Sequence, residues 1–246
     1  GFEKYQNKKG VGRWIFDHLG TSPVLMSSVN GETRAKVATN LLRDYGYFKG
    51  SVSYKEVPQK NPKTAKVSYV VDMANPYYLD SIAYLHYPHY ADRLIQTTRQ
   101  RSVLKSGENF SVMKLEEERQ RMNLLFRNHG YYYYRPEFTT YRADTLQKPG
   151  HVSLQVVPQR GIPAEAMKQY HIGNTSVYLT GYNGEPPTDT LRLRTMTLYY
   201  SGKKPGVRPS ALMRNFFFRK GELYSQDRQS FTQELIARMG IFRYSE

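Results

Sequence analysis

The sequence predicts an α+β fold of tandem small β-α-α-β-β repeats, each with two helices packed on one face of a three-stranded sheet. Three observations lead there. A helix that ends in Gly and runs into an aromatic strand occurs three times, at Gly46, Gly130 and Gly240. Between the copies, alternating runs bounded by Pro, Gly and Asn read as hairpins. The first two glycines stand 84 residues apart, which is room for one small unit per copy.

The second copy is the clearest. From Glu108 to Tyr134, Ser111 is placed to cap a helix N-terminus, and Leu115, Met122, Leu125, Phe126 and His129 recur at helical steps, so one stripe faces a core. Gly130 supplies the left-handed C-terminal cap, and the tyrosines after it have strand chemistry. In the first copy, Asn40-Leu-Leu-Arg-Asp-Tyr-Gly-Tyr-Phe48 matches Leu124-Leu-Phe-Arg-Asn-His-Gly-Tyr-Tyr132. The helix from Asn30 to Tyr45 is expected to turn Val37, Ala38, Leu41, Leu42 and Tyr45 inward. The third copy is Glu234 to Phe242, and its entrance Gly221-Glu-Leu-Tyr-Ser225 repeats Gly107-Glu-Asn-Phe-Ser111. The shared repeat motif is thus Gly46, Tyr47 and Phe48; Gly130, Tyr131 and Tyr132; and Gly240, Ile241 and Phe242.

The strands fall around these helices. Near the N-terminus, Trp14, Phe16 and Leu19 fit one face of a short helix stopped by Gly20. Residues 50–57 and 65–71 alternate about the turn 59–63 as a hairpin. Asn75-Pro76 marks a boundary, and Tyr77 to Tyr84 opens the second repeat as a strand that realigns on Tyr170 to Val177. Short helices follow at His89 to Gln100 and at Pro209 to Phe217, where Pro209 suits a first helical turn. Tyr132 to Tyr141 and His151 to Val157 close the second repeat as a hairpin around Lys148-Pro-Gly150. The predicted domains are 1–76, with its opening strand missing or atypical; 77–162; and 163–246, with its closing hairpin truncated. The run Tyr182 to Lys204 is longer than the third repeat needs. Gly1 and the stop soon after the third glycine read as a piece of a longer protein.

The β-α-α-β-β order, and a capped helix ending in Leu-Leu-x-x-x-Gly-Tyr-Phe, resemble the polypeptide-transport-associated (POTRA) repeats of the BamA and TamA outer-membrane barrel-assembly family. Tyr-x-Leu or Tyr-x-Ile at 77–79 and 170–172 fits their first strand. Arg13-Trp14, Gly20 and Pro23-Val24 are similar to the TamA-like lipoprotein branch of the Bacteroidetes. The resemblance implies an arm at the periplasmic face of the outer membrane, ahead of a C-terminal membrane β-barrel of the same chain. It also implies a chaperone-like role in protein translocation, with unfolded outer-membrane proteins or assembly subunits as partners.

Composition narrows the function. The 246 residues carry 36 Lys and Arg against 21 Asp and Glu, a net charge of +15, which predicts attraction to anionic polymers or an anionic lipid surface. With no cysteine there is neither disulfide nor thiolate site. No apolar run approaches the length of a membrane span. The six histidines form no metal-ligand pattern, and no nucleophile or phosphate-loop motif is present, so catalytic residues, metal and cofactor are all expected to be absent. Glu116, Glu117 and Glu118 diverge around a helix and read as a solvated face.

The candidate site is an edge strand of Tyr132, Tyr133, Tyr134, Pro136, Phe138, Thr139, Thr140 and Tyr141. Proline cannot donate to a ladder, so this strand is expected at a sheet edge able to receive an extended client by β-augmentation. Strand alternation places Tyr131 and Tyr133 on one face and Tyr132 and Tyr134 on the other, one pair left open. Nucleic-acid binding is the alternative from charge and aromatics, but the basic residues look spread over all three repeats and no RNA-binding motif stands where it is needed. No nucleic acid is expected as a partner.

Overall fold

The computed structural model describes residues 29–60, 64–180 and 186–240. The expectations for Trp14, Phe16, Leu19 and Gly20, for the turn at 61–63, and for Ile241 and Phe242 fall outside the described residues. The chain divides into two compact units. One holds the described residues up to Tyr77 with Asn109–Ser111; the other holds Tyr78–Glu108 and the described chain from Val112 onward.

In the first unit, α1 spans Gly31–Asp44, and the Asn30 side chain caps it by accepting from the Thr33 N–H at 2.9 Å. Strands β1 (Ser51–Pro58) and β2 (Ala65–Asp72) pair antiparallel in one hairpin, with Val52 opposite Val71 and Tyr54 opposite Tyr69. The helix seats its small residues on β1. A Cβ on Gly31 would stand 2.6 Å from the Tyr54 ring, and Thr39 Oγ1 accepts from the Val52 N–H at 3.0 Å. The inward stripe is therefore Gly31, Ala35 and Thr39. Of the expected stripe, Ala38 and Leu42 are half-buried, while Val37, Leu41 and Tyr45 are exposed, at 62%, 54% and 49%; among the described residues the sheet under this helix has two strands, and it meets the face of the smaller residues.

In the second unit, β3 (Tyr78–Tyr84) leads to α2 (His89–Thr98), a 3₁₀ turn at Arg99–Arg101 and α3 (Val112–Arg127). Strands β4 (Thr139–Asp144) and β5 (His151–Pro158) follow, in the sheet order β3-β5-β4, with β3 parallel and β4 antiparallel to β5. The pairing shifts between Leu79 and Ser81, and this bulge keeps Leu79, Ile82 and Tyr84 in step with Val152, Leu154 and Val156. Ile95, Met122 and Phe126 complete a fully buried core. This is the β-α-α-β-β order expected for residues 77–162.

The same unit carries a second sheet. The aligned strand at Tyr170 to Val177 is broken: His171 makes an isolated bridge to Leu223, and only Ser176–Tyr178 (β6) is a strand. The long run after Tyr182 supplies β7 (Asp189–Arg192) and β8 (Thr197–Tyr200), in the order β6-β8-β7. Its pairing is again parallel, then antiparallel, so the inserted hairpin takes the place a closing hairpin has in the preceding sheet. Helix α4 (Pro209–Asn215) sets Leu212 against Met196 and Leu198, and α5 (Gln226–Arg238) is capped by Ser225.

Candidate functional site

The predicted strand Tyr132 to Tyr141 begins later than expected. After α3 the chain turns through Tyr131–Tyr134, makes a 3₁₀ turn at Pro136–Phe138 with Pro136 at its start, and enters β4 only at Thr139. Proline's fixed φ suits the first residue of such a turn as well as an edge strand, and the two cannot be told apart from sequence. Burial follows the turn. Tyr131 and Tyr134 are buried against the Phe126 ring, at centroid distances of 5.2 and 4.4 Å, while Tyr132 and Tyr133 are exposed at 41% and 51%. A three-residue step replaces the two-residue step of a strand.

The exposed pair belongs to a junction. Tyr132 packs edge-on against Tyr224 at 4.8 Å, and Tyr133 against Tyr170 at 5.2 Å. Arg127 lies over Tyr132 and Tyr224 and donates to the Tyr224 hydroxyl at 2.8 Å. Asn128 accepts from Ser225 Oγ and the Asp227 N–H, tying the end of α3 to the start of α5. At its centre, Gly130 donates to the Tyr224 carbonyl and accepts from the Tyr170 N–H, at 3.0 and 2.8 Å. A Cβ there would come within 2.8 Å of the Leu223 side chain. The first unit repeats this arrangement: the Tyr77 N–H donates to Gly46 O, the Phe110 N–H donates to Tyr77 O, and Phe48 packs on both rings. Gly46, Gly130 and Gly240 all have positive φ, at 89°, 95° and 65°. The motif glycines are caps, as expected; Gly46 and Gly130 are also contact points that a side chain would block.

Strand β4 is an edge of its sheet. Gln159 N–H donates to Phe138 O at 2.8 Å, and antiparallel alternation from that pair turns the backbone groups of Thr140 and Arg142 toward β5 and those of Thr139, Tyr141 and Ala143 outward. Thr139 is already used: its N–H donates to Pro136 O, its carbonyl accepts from Arg119 Nε at 3.1 Å, and its hydroxyl bonds Tyr134. Tyr141 and Ala143 hold the free edge. Opposite, β3 is closed: Arg99 and Ser106 cap the carbonyls of Ile82 and Asp80, and Leu79 is bonded by Glu108 O and Gly107 N–H. Tyr141 itself faces α3, donating its hydroxyl to Leu115 O at 2.6 Å, and burial pushes its pKa up.

Glu118 overturns the expected solvated face. It is fully buried, and four donors satisfy it: Arg121 Nε and Nη2 at 2.9 and 2.6 Å, the Tyr84 hydroxyl at 2.5 Å and the Val103 N–H at 3.1 Å. Burial, with the Glu118 charge next, pushes the Tyr84 pKa up to about 12. Helical spacing placed Glu118 four residues before Met122 on the apolar stripe, which is the signal the sequence offered. Glu116 remains a surface carboxylate, paired with Arg119. The charge surplus is also less even than the sequence suggests at first sight. From Thr190 to Gly221 there are eight Lys and Arg and no Asp or Glu.

Among the described residues no helix is long and apolar enough to cross a membrane. No protein-family model and no curated protein matches the chain. Among solved structures, it is similar to POTRA domains 3–5 of Haemophilus influenzae BamA, with a TM-score of 0.43 and 11% identity over 89% of this chain and 72% of that one. It is also similar to Haemophilus ducreyi BamA lacking POTRA domains 1–3, at TM-score 0.36 and 14% identity, over 62% of this chain and 27% of that one. A third likeness is to the N-terminal domain of Omp85 from Thermosynechococcus elongatus, at TM-score 0.26 and 16% identity over 96% of this chain and 83% of that one.

Proposed function

We propose that this chain is a periplasmic arm of an outer-membrane protein assembly or translocation factor, a POTRA-type array of the TamA-like kind. In this reading it is not an enzyme. It binds extended segments of unfolded outer-membrane proteins, or partner subunits, by strand addition, and belongs to a protein that carries its membrane β-barrel outside this sequence. The surplus of Lys and Arg adds attraction to an anionic lipid surface.

The observation that carries the reading is the asymmetry of the β3-β5-β4 sheet, in which one edge is capped and the other offers the outward backbone groups of Tyr141 and Ala143. Main-chain pairing at such an edge gives affinity with little demand on client sequence, as a carrier of many clients needs. A proline placed on β4 can test this edge. At Thr140 proline removes a ladder donor, and at Thr139 one already committed to Pro136; Ala143 is the outward residue whose loss leaves the fold intact. With an extended peptide from an outer-membrane strand, hydrogen exchange should slow at the Tyr141 and Ala143 amides, and Ala143→Pro should weaken capture about fivefold, the worth of one net hydrogen bond. Unchanged capture by Ala143→Pro, with no protection along β4, would remove the edge as the site.

A further inference from the structure

Four cations meet at one end of the β6-β8-β7 sheet. Arg194 stands in the β7–β8 turn, Arg214 on α4, and Arg219 and Lys220 in the loop between α4 and α5. They line two adjoining depressions that share Leu193, Arg194, Thr195 and Arg219. Among the described residues no carboxylate lines either one. None of the four cations has a hydrogen-bond or ion-pair partner among the described residues, whereas Lys114, Arg119, Arg121, Lys148 and Arg228 of the same unit are each paired with an acid.

The backbone that carries them is fixed. The turn closes through Leu193 N–H to Met196 O at 2.9 Å, and Thr197 N–H donates to Thr175 O at 2.9 Å. The loop is held on both sides, by Phe217 N–H on Thr232 Oγ1 at 3.2 Å and by Gly221 N–H on Ile172 O at 2.8 Å. Cations gathered in one groove and left without acids attract a multivalent anion. Guanidinium groups match phosphate oxygens in pairs, and the hydroxyls of Thr175, Ser176, Thr195 and Ser210 line the same depressions as further donors.

We propose that this groove binds the phosphate head groups of anionic lipid, with Arg194, Arg214, Arg219 and Lys220 as the phosphate contacts. Lipid is favoured over nucleic acid by the aromatic side chains present. Tyr199, which lines the groove, already stacks on Tyr178 at 4.6 Å and 7°. Half-buried Met213, Phe216 and Phe218 lie beside the cations and suit the acyl region below a head group. The inference gives a place to the anionic-surface part of the proposed function and does not depend on strand addition.

The test is co-flotation of the whole chain with phosphatidylcholine vesicles, with and without phosphatidylglycerol, at fixed salt. Binding should require phosphatidylglycerol, and Arg194→Gln with Arg219→Gln should lower partitioning about 25-fold, about fivefold for each cation lost. Lys55→Gln with Lys66→Gln, an equal loss of charge on the β1–β2 hairpin, should change it little, and Arg194→Lys with Arg219→Lys should retain most of it. The single variant Lys220→Gln, at an exposed position, keeps the test open should the double variant fold poorly. Equal losses from the groove and hairpin pairs would overturn the site and leave general attraction standing. Equal binding to neutral vesicles would overturn both. Displacement by inorganic pyrophosphate alone, or tighter binding to a single-stranded oligonucleotide lost in the same variant, would overturn lipid as the ligand.

Discussion

In α1 the side chains of Val37, Leu41 and Tyr45 stand in solvent, whereas Glu118, Met122 and Phe126 of α3 are fully buried. The two helices share one sequence motif, with Leu42 aligned on Phe126 and Arg34 on Glu118. Their surroundings differ. Among the described residues the β1–β2 hairpin lies beneath α1, and it meets the small face of Gly31, Ala35 and Thr39. Beneath α3 lies a three-stranded sheet, with α2 packed alongside. A helix signal thus specifies a helix, while the sheet under it selects the buried face and allows a carboxylate to be buried at all.

The sharpest way to break that comparison is the buried carboxylate. Glu118→Ala strands the Arg121 guanidinium and should cost the second unit about 3–5 kcal/mol in urea unfolding, against less than about 0.5 kcal/mol for Arg34→Ala in the first. Comparable effects at the two aligned positions would refute the difference.

Alkaline pH comes next. Tyr84 and Tyr134 have pKa values pushed up to about 12 by burial, in both cases the first cause. A tyrosine with its folded pKa above the unfolded value near 10 holds its proton more tightly in the native state. Its contribution is therefore complete below about pH 10 and is lost as the pH rises toward 12, up to about 2–3 kcal/mol for each ring. Urea midpoints between pH 9 and 12 should fall more steeply for the parent than for Tyr134→Phe; parallel curves would contradict this origin.

Third are the glycines. Gly130→Val adds a collision with Leu223 to the strain of positive φ and should cost about 2–3 kcal/mol. Gly240→Val meets no atom of the described residues within 4 Å and should cost about 1 kcal/mol, from strain. Thermal melts that rank the pair the other way would make Gly130 a cap and nothing more. The smallest effect is expected at the exposed stripe: Leu41→Ser should move stability by less than about 0.5 kcal/mol, since the side chain is already in water. A loss above about 2 kcal/mol would mean that this face is covered in solution.

The tyrosine run shows where sequence reading stops. Four tyrosines in a row after a glycine have strand propensity, yet Tyr131 and Tyr134 both reach Phe126 only if the backbone turns between them. That contact lies in α3 and is invisible to a period count. Pro136 misled in the same way, since its ring satisfies either a turn or an edge. β4 is an edge of its sheet, but it starts only at Thr139, because the 3₁₀ turn consumed the residues before it.

What the sequence by itself determined are the local features: the helix stops at Gly46, Gly130 and Gly240, the hairpin turn at Gly150 and the paired entrances at Gly107 and Gly221. Each rests on the backbone sterics of one or a few neighbouring residues, which a linear reading contains in full. Tertiary structure decided which face of α1 is inward, that Glu118 is buried with Arg121, that the inserted β7–β8 hairpin completes a sheet, and that unpaired cations gather at that sheet's end. Burial is a sum over residues distant in the chain, and no local propensity fixes it until the packing partners are in place; the basic run 190–221 is written in the sequence, but which of its cations share one groove depends on how the hairpin and the α4–α5 loop pack.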